Sequence, residues 1–303
     1  MAFFNATYRL SEQIDTDVIE GERLARHTSL RIGGTADLFI TCHSYHALRR
    51  TIEVLSREEV PWVVLGKGSN ILVADDGYRG AVVTLGAGFA RFTVAEDGCT
   101  ITAGAGAMLP RLVNEALTRS LTGLEFAVGI PGTVGGAVSM NAGSREEWVG
   151  ARIRDVVTYK PCEGIVHRSH DELVWGYRFC SLPHDEILLE ATFELEHAPK
   201  QDVRERMERH LSRRRRTQPV GSASCGSVFK NPEGHAAGAM IEACGLKGCV
   251  SGGAEISPIH ANFIVNKGSA RAADVLDLIK RMLGEVKAAY DIELKPEIKF
   301  LGF

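Results

Sequence analysis

Apolar runs broken by polar turns predict that strands and helices alternate along the first part of the chain. Residues 38–40 and 62–65 are short and apolar, as is typical of buried strands. Between them, Ser44 is suited to cap a helix that we expect over residues 45–58. We therefore predict a β-α-β unit that ends in a loop at residues 66–70 and is preceded by a polar, helix-prone stretch over residues 1–30.

Turn signals and further apolar runs extend this pattern to residue 196. Asp76-Gly77 and Asp97-Gly98 lie between apolar runs and predict hairpin turns. Pro110 is favoured at the first position of a helix, which we expect over residues 110–120. Residues 153–159 and 187–195 predict strands. This region is expected to mix helices with antiparallel hairpins.

The composition changes near residue 200, where a strongly charged helix is expected over residues 200–216. Further on, apolar side chains three and four positions apart predict a long amphipathic helix that faces the core; they are Ala272, Val275, Leu276, Ile279, Met282, Leu283, Val286 and Tyr290. Residues 292–295 then predict a strand, which Pro296-Glu297 interrupts before residues 298–300.

The 303-residue chain has 45% hydrophobic residues, 24% charged residues and a formal charge of −3. This length predicts two or three packed units, and the small charge gives no general attraction to nucleic acid or to an anionic membrane. No stretch approaches the ~18 apolar residues of a membrane-spanning helix, and the N-terminal sequence lacks the order of a secretory signal. The seven cysteines are scattered, so we expect reduced thiols and no metal site. We expect a soluble, cytoplasmic monomer.

Two glycine-rich segments are the most informative part of the sequence. Residues 129–143 hold five glycines around Pro131, and residues 64–73 interrupt an apolar run with Gly66-Lys67-Gly68-Ser69-Asn70. Glycine lets the backbone approach a ligand without a Cβ in the way, and successive exposed N–H groups suit pyrophosphate. Neither segment matches the Walker or the G-x-G-x-x-G fingerprint. We predict that both segments contact one dinucleotide. The alternative for residues 129–143 is a long mobile loop.

Three further segments carry polar groups beside glycine or proline. Arg178 lies between aromatic residues, where its guanidinium can bind a substrate carboxylate through both oxygens or stack on a ring at the surface. Residues 224–232 are expected to be a turn entering a strand, which either binds a ligand or is an ordinary polar turn. No histidine stands out as a base for Cys225, which argues against a nucleophilic thiol. Glu297 follows a proline in an interrupted strand, a position without functional meaning by itself.

Arg213-Arg214-Arg215-Arg216 allow three interpretations. They can form a nucleic-acid surface, a solvated helix end where cations suit the dipole, or a site where one or two of them reach an anionic substrate. Consecutive helical residues are rotated by about 100° from one another, so the four arginines do not form one stripe.

Eight segments, taken in order, resemble the family of UDP-N-acetylenolpyruvoylglucosamine reductases, flavoenzymes of bacterial peptidoglycan precursor synthesis. The segments are residues 28–34, 66–70, 129–136, 177–179, 218–219, 225–232, 260–266 and 296–297. The resemblance runs from residue 28 to residue 300. Residue 179 continues directly into Cys180-Ser181-Leu182, which leaves no room for the tyrosine-bearing insertion of one branch of the family. The chain thus resembles the shorter, type II form.

This resemblance implies an α+β fold, in which a two-lobed FAD-binding domain of the vanillyl-alcohol-oxidase (PCMH) type precedes a C-terminal α/β substrate-binding domain. We expect the lobes at residues 1–88 and 89–199 and the substrate domain at residues 200–303. The FAD pyrophosphate would meet both glycine loops. The residues implied in cofactor binding are Gly66, Lys67, Gly68, Ser69, Asn70, Ile71, Leu72, Ile130, Pro131, Gly132, Thr133, Gly135, Gly136, Asn141 and Ala142.

The resemblance also implies that NADPH reduces the flavin, that NADP leaves, and that UDP-N-acetylglucosamine enolpyruvate is then reduced to UDP-N-acetylmuramate. Arg178 and a protonated Glu297 match the residues that stabilise charge on the substrate carboxylate, and Ser227 matches the proton donor. The implied substrate-binding residues are Tyr177, Arg214, Gln218, Lys230 and Asn231, with Arg213 as a substitute for Arg214 and Lys299 as a weaker candidate for a phosphate contact.

Two other functions stay open at this point. An FAD-linked 2-hydroxyacid oxidase of the same fold would share the glycine loops but not the segments around Ser227, Asn231 and Glu297. A nucleic-acid-binding protein would use residues 213–216, would bind with a steep salt dependence and would need no yellow cofactor.

Overall fold

The structure, a computed structural model, describes residues 2–11 and 13–303; Met1 and Glu12, which belong to the stretch expected to be helix-prone, lie outside the described residues. The described ranges contain seven α-helices: α1 (Ala2–Ser11), α2 (Tyr45–Arg57), α3 (Leu109–Thr118), α4 (Val134–Ser139), α5 (Lys200–Thr217), α6 (Ala237–Ala243) and α7 (Ala272–Tyr290).

The same ranges contain nineteen strands. They are β1 (Thr16–Arg23), β2 (Thr35–Cys42), β3 (Trp62–Val64), β4 (Ile71–Val73), β5 (Tyr78–Leu85), β6 (Phe92–Val94), β7 (Thr100–Gly104), β8 (Leu121–Thr122), β9 (Ile153–Lys160), β10 (Gly164–Ser169), β11 (Trp175–Gly176), β12 (Phe179–Cys180), β13 (Ile187–Glu194), β14 (Glu196–His197), β15 (Ala223–Ser227), β16 (Val250–Ser251), β17 (Ala254–Ile256), β18 (Phe263–Asn266) and β19 (Lys299–Leu301).

Most strands belong to three sheets, whose strand orders are β1-β2-β5-β3, β10-β9-β13-β7-β6 and β15-β18-β17-β16. Three further pairs are two-stranded: β11-β12, β14-β8 and β19-β4. The pairs within the second and third sheets are antiparallel, whereas β3-β5 and β19-β4 are parallel. This mixture of antiparallel sheets with separate helices confirms the expected α+β class.

The chain divides into two compact units, each built from segments that are distant in sequence. The first unit contains the residues up to Glu20, Leu38–Lys67 and Gly80–Ser212. The second unit contains Gly21–Asp37, Gly68–Arg79 and Arg213–Phe303.

The core of the first unit is formed around its five-stranded sheet and around α2. Strand β13 exposes only Glu190 and Glu194, and its apolar side chains pack with those of α3. Helix α2 begins where expected, because the Ser44 hydroxyl accepts a bond from the Ala47 N–H over 3.2 Å. Its buried residues recur at helical spacing and pack on β2 and β5.

The core of the second unit lies between α7 and the four-stranded sheet. The buried residues of α7 recur every three or four positions, as the sequence predicts, and pack with the apolar residues of β17 and β18. Two expectations about this helix are wrong in detail. Tyr290, in the last turn, is exposed, and Leu278, which the sequence pattern left out, is buried.

The expected strand at residues 292–295 is wrong. Pro296 forms an isolated bridge with Phe229, and regular pairing begins only at Lys299, where β19 joins β4. Leu294 is nevertheless buried in the second core. The apolar alternation therefore reflects burial of an irregular segment and not a strand.

Two expectations near the N-terminus are also corrected. Residues 16–23 form β1 and not helix, in keeping with the β-branched Thr16, Val18 and Ile19. Asp76-Gly77 is a turn but not a hairpin, because β4 pairs with β19 whereas β5 pairs with β2 and β3. Asp97-Gly98 does close the β6-β7 hairpin, and the Asp97 carboxylate accepts bonds from the N–H groups of the following turn.

Of the other predicted elements, α3, α5, β3, β9 and β13 are confirmed within one or two residues at each end. Strand β2 is also present, but it begins three residues before the predicted start at residue 38. All seven cysteines are free thiols. Across the part of the chain that the structure describes, no helix is both long enough and apolar enough to cross a membrane.

Candidate active site

The two glycine-rich segments meet within the first unit. A Cβ placed on Gly66 would lie 2.6 Å from the Thr133 Oγ1 atom, so any other residue at position 66 would press on the Thr133 side chain. Thr133 is the N-cap of α4, where its hydroxyl accepts a bond from the Gly136 N–H over 3.3 Å. Two segments that the sequence assigns to one ligand are therefore neighbours.

The N–H groups at the start of α4 are less available than the sequence suggests. Those of Val134 and Gly135 donate to the carbonyls of Ala107 and Ala105 over 2.8 and 2.9 Å, and that of Gly136 is used by the Thr133 cap. Gly135 and Gly136 therefore serve close packing and helix capping.

Other backbone donors in the first unit have no protein partner. Within the described residues, no protein acceptor bonds the N–H groups of Gly66, Lys67, Gly132 and Thr133. Backbone donors of this kind in a glycine-rich turn suit the oxygens of a pyrophosphate. The first unit thus offers the donor groups that an FAD pyrophosphate requires.

The remainder of the 66–70 loop belongs to the second unit, where it is held by residues 28–29. Gly68 has φ +61°, and a Cβ on it would lie 2.2 Å from the His27 carbonyl oxygen. The Gly68 carbonyl accepts a bond from the Ser29 N–H over 3.0 Å, and the Ser29 hydroxyl donates to the Ser224 carbonyl over 2.6 Å. Ile71 and Leu72 continue into β4.

The end of this loop reaches the segment around Glu297 in the same unit. The Asn70 side-chain amide donates to the Glu297 carbonyl over 3.1 Å, and the Lys299 N–H donates to the Asn70 carbonyl over 3.0 Å. Glu297 is only 8% exposed. A predicted cofactor residue and a predicted catalytic residue are therefore in direct contact.

Ser227 lies beside Glu297, at the end of a bulged strand. Ser224 pairs with Val265 and Ser227 with Phe263, so two residues of β15 face one of β18. The expected turn at residues 224–232 is thus a strand up to Ser227, with Gly226 at φ +78° in the bulge. The Glu297 N–H donates to the Val228 carbonyl over 2.8 Å, which places the backbone of Glu297 beside the residue that directly follows Ser227.

Cys225 points into the core and not toward solvent. It is 1% exposed, and burial raises the pKa of its thiol to about 12. Such a thiol stays protonated at neutral pH, in agreement with the sequence argument against a nucleophile.

Tyr177 and Arg178 form a two-residue turn between β11 and β12 in the first unit. Arg178 has φ +56°, a backbone conformation that is uncommon for residues other than glycine. Its guanidinium donates to the Gly143 carbonyl and lies 5.3 Å from the centre of the Tyr177 ring. The stacking on a ring that the sequence analysis gave as the alternative to carboxylate binding is therefore present. The uncommon φ of Arg178, however, is typical of residues at functional sites.

Asn141 and Ala142 follow α4 and are buried or half-buried. The Asn141 amide bonds two backbone groups: it donates to the Gly176 carbonyl over 2.8 Å and accepts from the Gly150 N–H over 2.9 Å. The Ala142 N–H donates to Ala137. The two bonds leave only the second N–H and the second lone pair of the amide for the predicted contact with a cofactor.

The predicted substrate-binding residues of the second unit form two groups. Arg214 donates to the Gln218 side chain over 3.3 Å at the end of α5. Lys230 donates its N–H to Lys295, and the Asn231 side chain caps α6 by accepting from the Ala237 N–H over 3.0 Å. The side chains of Arg213, Arg215, Arg216 and Lys299 are exposed.

Sequence reasoning assigned no role to Asn262. Its side chain is buried, accepts from the Phe229 N–H over 3.0 Å and donates to the Phe229 carbonyl over 2.8 Å. Its own carbonyl accepts from the Val228 N–H. Asn262 thus fixes the backbone immediately after Ser227. The signal in the sequence that could have indicated this role is an asparagine between the apolar residues Ala261 and Phe263.

Comparisons with known proteins agree with this geometry. A sequence model of an FAD binding domain matches residues 36–160, and one of the C-terminal domain of UDP-N-acetylenolpyruvoylglucosamine reductase matches residues 218–301. The reductase of this name from Clostridium botulinum (strain Eklund 17B / Type B) is 39% identical over 290 residues, which are 95% of this chain and 94% of that protein. The one from Bacillus subtilis (strain 168) is 38% identical over 299 residues, 97% of each.

A solved structure is also similar. The crystal structure of UDP-N-acetylenolpyruvylglucosamine reductase from Thermus caldophilus matches with a TM-score of 0.82 and 36% identity, covering 94% of this chain and 98% of that one. The fold and the glycine loops define a protein with an FAD-binding domain. The chain belongs to the family of UDP-N-acetylenolpyruvoylglucosamine reductases.

Proposed function

We propose that this protein uses NADPH and bound FAD to reduce UDP-N-acetylglucosamine enolpyruvate to UDP-N-acetylmuramate, a step of bacterial peptidoglycan precursor synthesis. The observation that carries the proposal is the bond from the Glu297 N–H to the Val228 carbonyl, which places a buried carboxyl group beside the Ser227 segment. A hydroxyl and a carboxyl group on adjoining, fixed backbones suit a reaction that must donate a proton and stabilise an oxyanion.

The chemistry explains why both groups are needed. The enolpyruvyl group is an electron-rich enol ether, so hydride can add to its β-carbon only if electron density moves into the carboxylate. The transition state therefore carries more negative charge on the carboxylate oxygens than the bound substrate does. Donors placed there in advance stabilise the transition state more than the ground state. Bound FAD would supply the hydride.

We assign the roles as follows. Arg178 and a protonated Glu297 donate hydrogen bonds to the substrate carboxylate, and Ser227 delivers a proton to the carbon next to it. The fixed φ of Arg178 and its bond to the Gly143 carbonyl hold the guanidinium in place before the substrate binds. The close packing of Glu297 does the same for its carboxyl group.

We propose that the FAD pyrophosphate is bound by the N–H groups of Gly66, Lys67, Gly132 and Thr133. The rest of the predicted cofactor set would surround it, apart from Asn141, whose amide bonds the backbone of Gly150 and Gly176 instead. Arg214, Gln218, Lys230 and Asn231 would bind the sugar diphosphate, and Tyr177 would contact the sugar or the nicotinamide. We further propose a cytoplasmic monomer with a substrate domain at residues 200–303 and FAD-binding lobes at residues 1–88 and 89–199.

The decisive experiment follows the visible flavin absorbance by stopped flow. NADPH should bleach the flavin, and UDP-N-acetylglucosamine enolpyruvate, added after NADP has been removed, should restore it with formation of UDP-N-acetylmuramate. A flavin that lactate or glycolate reduces, and that the enolpyruvyl substrate does not reoxidise, would establish the 2-hydroxyacid oxidase instead. A colourless protein that binds nucleic acid with a steep salt dependence would refute both flavoenzyme assignments.

A further inference from the structure

Residues 141–143 and residues 176–178 are joined by two reciprocal bonds in the first unit. The Asn141 side chain donates to the Gly176 backbone carbonyl over 2.8 Å. In return, the Arg178 side chain donates to the Gly143 backbone carbonyl. Each segment therefore supplies one side chain and one carbonyl, and the Tyr177-Arg178 turn is held at both ends.

The position of Asn141 requires an amide. One of its neighbours, the Gly150 N–H, needs an acceptor, and the other, the Gly176 carbonyl, needs a donor. A carboxylate offers only acceptors, and an aliphatic side chain offers neither. The fit is close, because a Cβ on Gly150 would lie 2.9 Å from the Asn141 Oδ1 atom and 2.3 Å from the Trp175 ring.

Both segments also have uncommon backbone conformations. Asn141 has φ +41°, Arg178 has φ +56° and Gly143 has φ +149°. Non-glycine residues keep such angles only where the surroundings fix them, and such positions cluster at functional sites. Asn141 is 2% exposed, so its amide cannot exchange these bonds for water.

We propose that Asn141 is a positioning residue that acts through Arg178, fixing the turn so that the guanidinium is already oriented when the enolpyruvyl carboxylate binds. This inference rests on the proposed function for its readout, since it requires Arg178 to act on that substrate. It gives Asn141 a role other than the expected cofactor contact.

The test uses two substitutions of Asn141. Asn141→Asp keeps an acceptor for Gly150 but, when ionised, has no donor for Gly176, whereas Asn141→Ser is too short to make both bonds. Both should slow flavin reoxidation by the enolpyruvyl substrate by about tenfold, the value of one well-placed hydrogen bond. FAD content and flavin reduction by NADPH should stay near the wild-type values. If only one of the two variants folds, that variant alone tests the inference.

A matched control separates positioning from general destabilisation. Thr158 is also buried in the first unit, and its hydroxyl donates to Glu186 over 2.8 Å. Thr158→Val removes a buried hydrogen bond far from the turn in sequence, so it should lower thermal stability without changing the ratio of the two half-reaction rates. A similar change of that ratio in Thr158→Val would overturn the inference.

A double-mutant cycle gives the sharpest result. If Asn141 acts through Arg178, the effect of Asn141→Ser on flavin reoxidation should nearly vanish in an Arg178→Ala background. Additive effects would refute the inference while leaving the proposed function intact. A wild-type flavin that the enolpyruvyl substrate does not reoxidise would instead refute the proposed function.

Limited trypsin digestion supplies a readout that does not depend on activity. Trypsin cleaves after arginine, and a loosened turn should be cut after Arg178 faster in full-length Asn141→Ser than in the wild type or in Thr158→Val. Mass spectrometry identifies the site. Unchanged cleavage after Arg178 would mean that Asn141 does not hold the turn.

Discussion

The side-chain amide of Asn70 donates to the backbone carbonyl of Glu297 over 3.1 Å, although the two residues are 227 positions apart in sequence. Glu297 in turn donates its N–H to Val228, next to Ser227. A residue of the glycine loop thus supports the backbone that carries a proposed catalytic carboxyl group. This contact joins the loop proposed to bind FAD to the residues proposed to act on the substrate.

We expect Asn70→Ala to slow flavin reoxidation by the enolpyruvyl substrate by about tenfold at full FAD loading, because one supporting hydrogen bond is lost. Stopped-flow absorbance measures the rate. Asn5→Ala is the matched control, since Asn5 is exposed and bonds Glu58 on the surface. Equal rates for Asn70→Ala and Asn5→Ala would show that the contact has no catalytic value.

Arg178→Ala and Glu297→Ala should each lower the rate of flavin reoxidation by about 10²–10³, as is typical when one oxyanion donor is removed. If Glu297 acts as a protonated acid, the Glu297→Gln variant keeps a hydrogen-bond donor. Its rate of flavin reoxidation should therefore fall less than that of Glu297→Ala. The exposed Glu293→Ala serves as the control. A glutamine variant as slow as the alanine variant would contradict the hydrogen-bond role.

Ser227→Ala should leave the reduction of flavin by NADPH unchanged, while reoxidation by the enolpyruvyl substrate collapses, because only the second half-reaction needs a proton donor. The two half-reactions are measured separately by stopped flow. Ser56→Ala, at an exposed position of α2, is the control. Equal losses in both half-reactions of Ser227→Ala would show that the hydroxyl does not serve as proton donor.

Gly66→Ala should weaken FAD binding by roughly tenfold or more, since its Cβ would press on Thr133 and overpacking at such contacts costs about 1–3 kcal/mol. Removing the Thr133 hydroxyl as well, in Gly66→Ala/Thr133→Ala, should recover part of the affinity. Gly221→Ala is the control, because nothing lies within 4 Å of its added Cβ. FAD affinity is measured by titrating the flavin-free protein, and unchanged affinity in Gly66→Ala would contradict the contact.

Stability should fall in mild alkali because two buried thiols resist ionisation. Burial raises the pKa of Cys42 to about 11 and that of Cys225 to about 12. An unfolded thiol ionises near pH 8.5, so above this pH the unfolded chain holds fewer protons than the folded chain. The stabilisation is complete below that pH and is lost as the pH rises toward the raised values. Urea unfolding at several pH values should therefore give a decreasing free energy of unfolding.

The control for this prediction is Cys225→Ala. It is less stable at every pH, because a buried sulfur is removed, but its free energy of unfolding should decrease less steeply with pH. A slope equal to that of the wild type would mean that Cys225 does not contribute to the alkaline loss.

Local signals in the sequence were sufficient for most elements and for the family. Ser44 and the spacing of apolar residues located α2, and the period of three and four located α7. The order of eight motifs identified the family, the α+β fold and the FAD-binding domain, which are confirmed. These features are set by neighbours in sequence, through backbone angles, capping and helical periodicity.

Other features depended on partners that a local pattern does not contain. The segment at residues 292–295 has the alternation of a strand, but among the described residues it has no strand partner, whereas β19 pairs with β4 at residues 71–73. Gly135 belongs to the predicted cofactor set, but its N–H donates to the Ala105 carbonyl over 2.9 Å.

The residues proposed to carry the chemistry could be named from the sequence, because the backbone freedom of glycine and the side-chain groups of arginine, serine and glutamate are properties of the residues themselves. The residues that support them could be found only in the folded chain: Asn70 bonds Glu297, Asn141 bonds the turn at Arg178, and Asn262 bonds the backbone after Ser227. The physical reason is that a buried amide is satisfied by whichever backbone groups the folded chain brings within about 3 Å, and that pairing is fixed by packing over the whole chain.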